Sequence, residues 1–329
     1  MKLAIVILNW NGQQLLETFL PSVVAYADGQ DVYVIDNAST DTSVSFIETH
    51  YPTVKCIKLT HNIGYTGGYN EGLKQIDADV YCLLNSDIEV TENWLKPVIH
   101  TFEAEVNTAI IQPKILDYHH KNKFEYAGAG GGFIDQLGYP YCRGRIFNSL
   151  EEDRGQYNDQ KEIFWASGAC LFIRAQAFEV LEGFDPHFFA HMEEIDLCWR
   201  AQNKGMTVTY VGLSTVYHVG GASLKTSNPK KTFLNFRNSL YTLVKNTHQP
   251  LLLVVLLRLI LDGIAGIRFL LQAKPKHVIA IVKAHGSFYK ALPYLLQFRK
   301  QHPTRKSHNQ LPSIVWSYFV RNKNYFNKL

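Results

Sequence analysis

Four short apolar runs near the N-terminus, separated by segments of helical period, constrain this chain more than any other feature. "LAIVIL" (3–8), "DVYVID" (31–36), "VKCIKL" (54–59) and "DVYCLL" (79–84) read as strands. The stretches 13–27, 42–50 and 68–76 between them read as helices. Repeated strand–helix–strand units predict an α/β fold: a doubly wound, mostly parallel sheet with helices on both faces. Ligands of such sheets bind beyond the carboxyl ends of the strands.

Those four ends are Asn9-Trp10-Asn11-Gly12, Asp36-Asn37, His61-Asn62-Ile63-Gly64 and Asn85-Ser86-Asp87. Short polar residues start turns in any fold, but four such ends on one rim, two with carboxylates, predict a binding rim. The first turn, "NWNGQQ", has a single glycine, so the dinucleotide fingerprint is missing, and no Walker loop follows. The glycine-rich stretch comes later, in "NIGYTGGYNEG" (62–72). It is expected as a strand-to-helix turn whose glycines let backbone approach a ligand. Asp87, at the end of an apolar strand, is placed to hold a divalent cation that also bridges substrate phosphates.

The motifs "VILNWNG", "VIDNASTD", "NIGYTGGYNEG", "LLNSDIEV", "WASGACLFIR", "GFDPHFFAHMEEIDLCWR" and "VYHVGGAS" follow one another over residues 3–240. In that order the chain resembles the family 2 inverting glycosyltransferases of GT-A fold, especially the rhamnosyltransferase-like branch. The resemblance implies that Asp36 binds the nucleotide base and that Asn9 and Asn62 line the nucleotide pocket. It implies that Asp87 holds the metal, Mg²⁺ or Mn²⁺, on the donor diphosphate. Asn85 stands where the family carries a first aspartate, with ribose or a metal-bound water as its partner. His218 matches a position that reaches the metal or pyrophosphate. Ser167 and Gly168 lie near the sugar, and Trp165 stacks on a sugar ring or packs into the core.

"HMEEIDLCWR" (191–200) puts Glu193, Glu194 and Asp196 close together among apolar residues. Inverting transfer needs a general base to take the proton of the attacking hydroxyl. The resemblance places that base at the second acid of the pair, Glu194, with Glu193 as the alternative. Asp196 and Arg200 are spaced to pair across one helical turn, a structural role. Residues 117–160 show no period and are expected as an insert over the pocket, where substrate choice resides.

The C-terminal part differs in charge. Of a net +4, residues 263–329 carry +12, with no acid after Asp262, which leaves −8 for the rest. The segment 250–272 is apolar, but Arg258, Asp262, Arg268 and Gln272 share one arc of about 120°. That pattern predicts a helix lying on an anionic membrane surface rather than spanning it. The chain therefore divides into residues 1–245, catalytic, and 246–329, a basic amphipathic extension. Five scattered cysteines without C-x-x-C spacing, and no signal peptide, indicate reduced thiols in the cytoplasm. No nucleic-acid module is evident. The expected partners are a nucleotide-sugar donor, a saccharide or lipid-linked saccharide acceptor and the inner face of the membrane. A non-catalytic nucleotide-sugar or glycan-binding protein is the alternative, disfavoured because the metal and base positions are both filled. Donor sugar, linkage and oligomeric state are not legible.

Overall fold

The computed structural model describes residues 1–220, 228–308 and 311–329. The end of "VYHVGGAS", from Gly221 onward, lies outside them. The N-terminal alternation gives β1 (Leu3–Asn9), α1 (Gln13–Ala25), β2 (Asp31–Asp36), α2 (Ser43–His50), β3 (Lys55–Lys58), α3 (Gly64–Leu73) and β4 (Val80–Asn85). The chain continues through β5 (Ile88–Val90), α4 (Leu95–Ala104) and β6 (Thr108–Asp117). Four short strands follow: β7 (Gly132–Ile134), β8 (Pro140–Cys142), β9 (Arg145–Ile146) and β10 (Ser149–Leu150). Then come β11 (Gln160–Glu162), β12 (Cys170–Arg174), α5 (Ala175–Val180), α6 (Glu193–Asn203) and β13 (Thr207–His218). Four helices close the chain: α7 (Pro229–Asn246), α8 (Leu251–Leu271), α9 (Pro275–Gln301) and α10 (Ile314–Phe319).

The main sheet runs β11–β13–β6–β12–β4–β1–β2–β3, with β5 paired to β13. Its β4–β1–β2–β3 half is parallel, as the alternation demands. Beyond β4 the sheet is mixed, because β12 lies antiparallel to both β4 and β6. The central strands are buried on both faces. Leu16 and Leu20 of α1, Ile47 of α2 and Phe102 of α4 cover one face. Tyr69 of α3, Phe178 of α5 and Leu197 of α6 cover the other.

The glycine-rich stretch corrects an expectation. It is not a loop: α3 begins at Gly64, four residues earlier than its pattern suggests. A Cβ on Gly72 would lie 2.2 Å from Ile35 Cδ1, and one on Gly68 2.7 Å from Leu8 Cδ1. These glycines bring the helix backbone down onto β1 and β2, and that close packing decides their identity.

The aperiodic insert folds into a second antiparallel sheet, β10–β9–β8–β7. Its Tyr141 and Ile146 pack with Ile314 of α10. The C-terminal helices are tied to the sheet domain through charge. Lys245 of α7, fully buried, reaches Asp185 at 2.6 Å and Asp196 at 2.9 Å. Asp196 also takes Arg200 Nε at 2.8 Å, the pairing its spacing predicts. Tyr294 of α9 donates to Asp185 at 2.8 Å.

α8 is inverted relative to a helix of a water-exposed surface. Its Arg258 and Asp262 are buried and paired at 2.9 Å, with Ser239 and His285 as further partners. Its leucines and isoleucines face outward, Leu252 at 85% and Leu271 at 83% exposed. Among the described residues no helix is long and apolar enough to cross a membrane.

Candidate active site

The four strand ends converge as read. Trp10, Asn37, Asn62, Asn85 and Asp87 line one large cavity, together with Glu193 and Glu194 from the start of α6. Asn9 and Asp36 sit just beneath this rim, outside the cavity lining. Asn9 Nδ2 donates to Asp36 at 3.1 Å, and the Ser39 backbone N–H donates to the same carboxylate at 2.9 Å. Asp36 thus shapes the turn after β2, while Asn37 holds Asn62 at 3.1 Å. Asp36→Ala is expected to lower stability by about 1–3 kcal/mol, since it strands buried donors, and to weaken nucleotide binding through the displaced rim. A urea midpoint equal to that of the wild type would remove the structural half of this reading.

Asp87 and His218 meet at this rim, both buried. His218 Nε2 lies 3.2 Å from Asp87 Oδ1, and its Nδ1 lies 3.4 Å from Glu125 Oε2. β13 delivers His218 because its last residues pair with β5, which directly follows Asp87. Burial opposes a charge on His218, but the two carboxylates facing its nitrogens outweigh it and push its pKa up to about 10. The described residues offer no cluster of three His, Cys, Asp or Glu ligands. A cation here would take Asp87 and, on displacing the proton that the facing carboxylates hold on His218 Nε2, the imidazole as well, with substrate phosphates and water completing its shell. The donor set fits that role.

Glu193 and Glu194 open α6 without a side-chain cap. Glu193 is buried and Glu194 half-buried, and one carboxyl oxygen of each lacks a hydrogen-bond partner. Burial, then the charge of Glu194, raises Glu193 well above the carboxylate range. Burial pushes Glu194 up to about 7, partly offset by backbone N–H groups at the helix start. The approach to this pair is strained: Phe189, His191 and Met192 have φ of 67°, 69° and 71°. Buried Asn238 of α7 holds that loop, donating to the carbonyls of Phe188, Ala190 and His191 at 3.0, 2.9 and 2.7 Å. Strain of this kind persists only where surrounding structure over-determines it.

Ser167 donates to the Ala127 carbonyl, and the Gly168 carbonyl accepts from Tyr65 at 2.9 Å. A Cβ on Gly168 would sit 3.9 Å from Glu194 Cβ, so this residue borders the carboxylate pair. Trp165 lines the cavity, but its ring presses against Gly132 and its Nε1 donates to the Phe133 carbonyl at 2.8 Å. Packing therefore occupies much of its surface.

Sequence reasoning missed Glu125 and Asn238. Each acts through a partner distant in the chain, and nothing in the flanking residues marks it. Trp10, 57% exposed at the cavity edge, carried a local signal as a large aromatic at a strand end.

Residues 4–181, more than half of the chain, match the family described as Glycosyl transferase family 2. A low-salt glycan biosynthesis hexosyltransferase, Agl10, of Haloferax volcanii is 24% identical over 72% of this chain and 73% of its own length. An N-acetylglucosaminyl-diphospho-decaprenol L-rhamnosyltransferase of Mycobacterium tuberculosis is 26% identical over 66% of this chain and 75% of its own. Among solved structures, GalNAc-T7 with UDP, GalNAc and Mn²⁺ superposes with a TM-score of 0.59 at 15% identity. That match covers 98% of this chain but 57% of the other, and it identifies the shared fold as GT-A.

Proposed function

The chain belongs to glycosyl transferase family 2, and from that premise we propose that it is a metal-dependent, inverting sugar transferase. It moves a hexosyl or deoxyhexosyl group, rhamnose among the candidates, from a UDP- or dTDP-linked donor. The acceptor is a saccharide or lipid-linked saccharide in surface polysaccharide synthesis. The supporting observation is one cavity that holds Asp87 and His218 together with the Glu193–Glu194 pair.

The acceptor hydroxyl attacks the anomeric carbon opposite the leaving group. One C–O bond forms, the bond to the diphosphate oxygen breaks, and configuration inverts. Glu194 takes the hydroxyl proton, a task suited by a pKa near the working pH. Glu194 is preferred over Glu193 because it is less buried and borders Gly168. Asn238 keeps the pair in place by clamping the loop before α6. Asn37, Asn62 and Asn85 offer polar contacts to the nucleotide, and Trp10 an aromatic face. Glu125 orients His218. Asp87, with His218 once deprotonated, would hold a divalent cation, which when bound would supply Lewis-acid charge for the departing diphosphate. The test is a panel of nucleotide sugars with Mn²⁺, scored by binding and by nucleotide release. Binding without release from any donor, in the presence of acceptor extracts, would favour a non-catalytic binding protein.

Residues 1–245 form the catalytic part in this reading, and 246–329 rest on the inner, cytoplasmic face of the membrane. The inverted α8 and the +12 charge after Asp262 support this placement. Each basic group near an anionic surface contributes about 1 kcal/mol, which salt screens. Leu253, Leu256 and Ile267 are exposed and lie outside the cavity lining. Full-length protein is expected to float with anionic vesicles and less with neutral ones. Changing these three residues together to Gln should remove the salt-resistant part of binding. Protein that stays in the soluble fraction with both vesicle types would refute the placement.

A further inference from the structure

Resting on the glycosyltransferase reading above, we propose that Tyr294 of α9 is a positioning residue for the base. It fixes the start of the strained loop that carries Glu193 and Glu194, so the C-terminal helices take part in catalysis as well as in placement.

The segment from Asp185 to Asp196 contains the carboxylate pair, and one side chain closes it at both ends. Lys245 Nζ reaches Asp185 Oδ2 at 2.6 Å and Asp196 Oδ2 at 2.9 Å. Between these two residues lie Phe189, His191 and Met192, all of positive φ. Such conformations are unfavourable for residues that carry a Cβ, and they hold only where the surroundings leave no alternative. Asn238 holds the middle of the loop. Asp196, also gripped by Arg200 within α6, holds its end. Its start rests on Asp185.

Asp185 is buried, and each of its oxygens has two partners. Oδ1 accepts from the backbone N–H of His187 and faces His187 Nδ1, both at 2.9 Å. Oδ2 meets Lys245 and accepts from the Tyr294 hydroxyl at 2.8 Å. Burial opposes the charge of Asp185, but Lys245 and the hydrogen bonds from His187 and Tyr294 outweigh it and hold the carboxyl well below its ordinary range. Burial and the charge of Asp185 raise the Tyr294 hydroxyl above its ordinary range, so it stays a donor.

Tyr294 makes a second contact with the same turn. Its ring stacks on His187, with 4.0 Å between centroids and 26° between planes. His187 lies in the short turn Pro186–Phe188 that Asp185 caps. One side chain of α9 therefore grips the turn through its hydroxyl and through its face. Phe298, one helical turn further along α9, has its ring centroid 4.2 Å from Lys245 Nζ, and Phe188 of the loop has its own at 5.0 Å. Lys245 thus sits between the loop and α9. Four residues, 189–192, join the turn to Glu193, and three of them are the strained ones. A shift of the turn has no slack to dissipate in before it reaches the pair. Misplacement by about 1 Å can cost about 10²-fold in rate.

Lys245 is a poor target for a test, because its removal leaves two buried carboxylates without their cation and endangers the fold. Tyr294 is neutral and half-buried, and without it Asp185 keeps Lys245 and His187. The test compares full-length Tyr294→Phe, which keeps the stack, and Tyr294→Ala, which loses both contacts. Phe288→Leu is the control: Phe288 is buried on α9 and lies outside the cavity lining. Hydrogen exchange comes first and needs no ligand. Amides of residues 186–196 should exchange about tenfold faster in Tyr294→Ala, with a smaller rise in Tyr294→Phe and none in α3. Phe288→Leu should not single out this segment. Nucleotide release from the donor that the nucleotide-sugar panel selects, with water or octyl glucoside as acceptor, is measured next. Its kcat should fall about tenfold in Tyr294→Phe and about 10²-fold in Tyr294→Ala, with donor KM and affinity for UDP or dTDP unchanged. Wild-type exchange and kcat in Tyr294→Ala would overturn the proposal. So would a loss of kcat that Phe288→Leu shares, which marks a merely structural role. A wild type that binds no nucleotide counts against the glycosyltransferase reading, while exchange over 186–196 still decides whether Tyr294 holds the loop.

Discussion

Glu194→Gln is expected to lower the transfer rate by about 10²–10⁴ while leaving donor affinity nearly unchanged. The amide keeps the volume of the side chain but cannot accept the hydroxyl proton. The wild-type pH profile gives an independent check. Glu194 must be ionised to act, and burial raises its pKa to about 7, so the rate should climb with pH through about that value. Stability should run the other way. A carboxyl whose folded-state pKa is raised stabilises the fold fully below its ordinary value, and that contribution is lost as pH rises through the raised value. The active state is thus the less stable one, and unfolding free energy should fall between the ordinary carboxylate range and about pH 7. The two glutamates titrate as a pair, which makes the single variants more informative than the profile alone. Removing the charge at Glu194 relieves one of the two causes that raise Glu193, so the apparent pKa of the remaining carboxyl should drop. An inactive Glu193→Gln beside an active Glu194→Gln would move the base back by one residue.

The rim could be read from sequence because its signal is local. Three of the four parallel strands stop at a short polar residue, Asn9, Asp36 and Asn85, and β3 reaches Asn62 four residues past its end; the topology of a doubly wound sheet brings those positions to one edge. The pair at 193–194 was legible for the same reason: two adjacent acids in an apolar context need an explanation within ten residues of chain. α3 was misplaced because its glycines are selected by what lies below them. Gly68 and Gly72 read as turn residues until Leu8 and Ile35 are set against them. Glu125 and Asn238 share the opposite difficulty. Their meaning depends on His218 and on a strained loop before α6, both far away in sequence. α8 falls between these cases. Its polar arc follows from period alone, but which side faces inward does not. Burying Arg258 and Asp262 is tolerable only because Ser239 of α7 and His285 of α9 complete their hydrogen bonds, and that needs the tertiary arrangement.

Asp87→Asn is expected to cut Mn²⁺-dependent nucleotide-sugar affinity on the order of 10²-fold, with Asp87→Ala at least as severe. Asp87 is the one acid in "NSD", and Asn85 supplies no charge in place of the missing first aspartate. Asp87 is buried and faces His218 Nε2 at 3.2 Å. Alanine would therefore remove a charge and also leave the imidazole with Glu125 as its remaining partner. Asparagine separates the two effects, since it keeps the shape and an oxygen that can accept from His218 while losing the charge a cation needs. The measurement is a calorimetric titration of nucleotide with Mn²⁺ and again in excess chelator. In the wild type Mn²⁺ should raise nucleotide affinity, and in both variants that gain should vanish while the metal-independent affinity persists, because Asn37 and Asn62 remain in place. Thermal unfolding of Asp87→Asn near that of the wild type would show that the fold is intact. Retention of the full Mn²⁺ effect in Asp87→Asn, or full transfer by the wild type in excess chelator, would rule out a metal at Asp87. The charge on the departing diphosphate would then have to be met by cations of the chain itself, of which Arg145 and Lys230 are on the cavity wall.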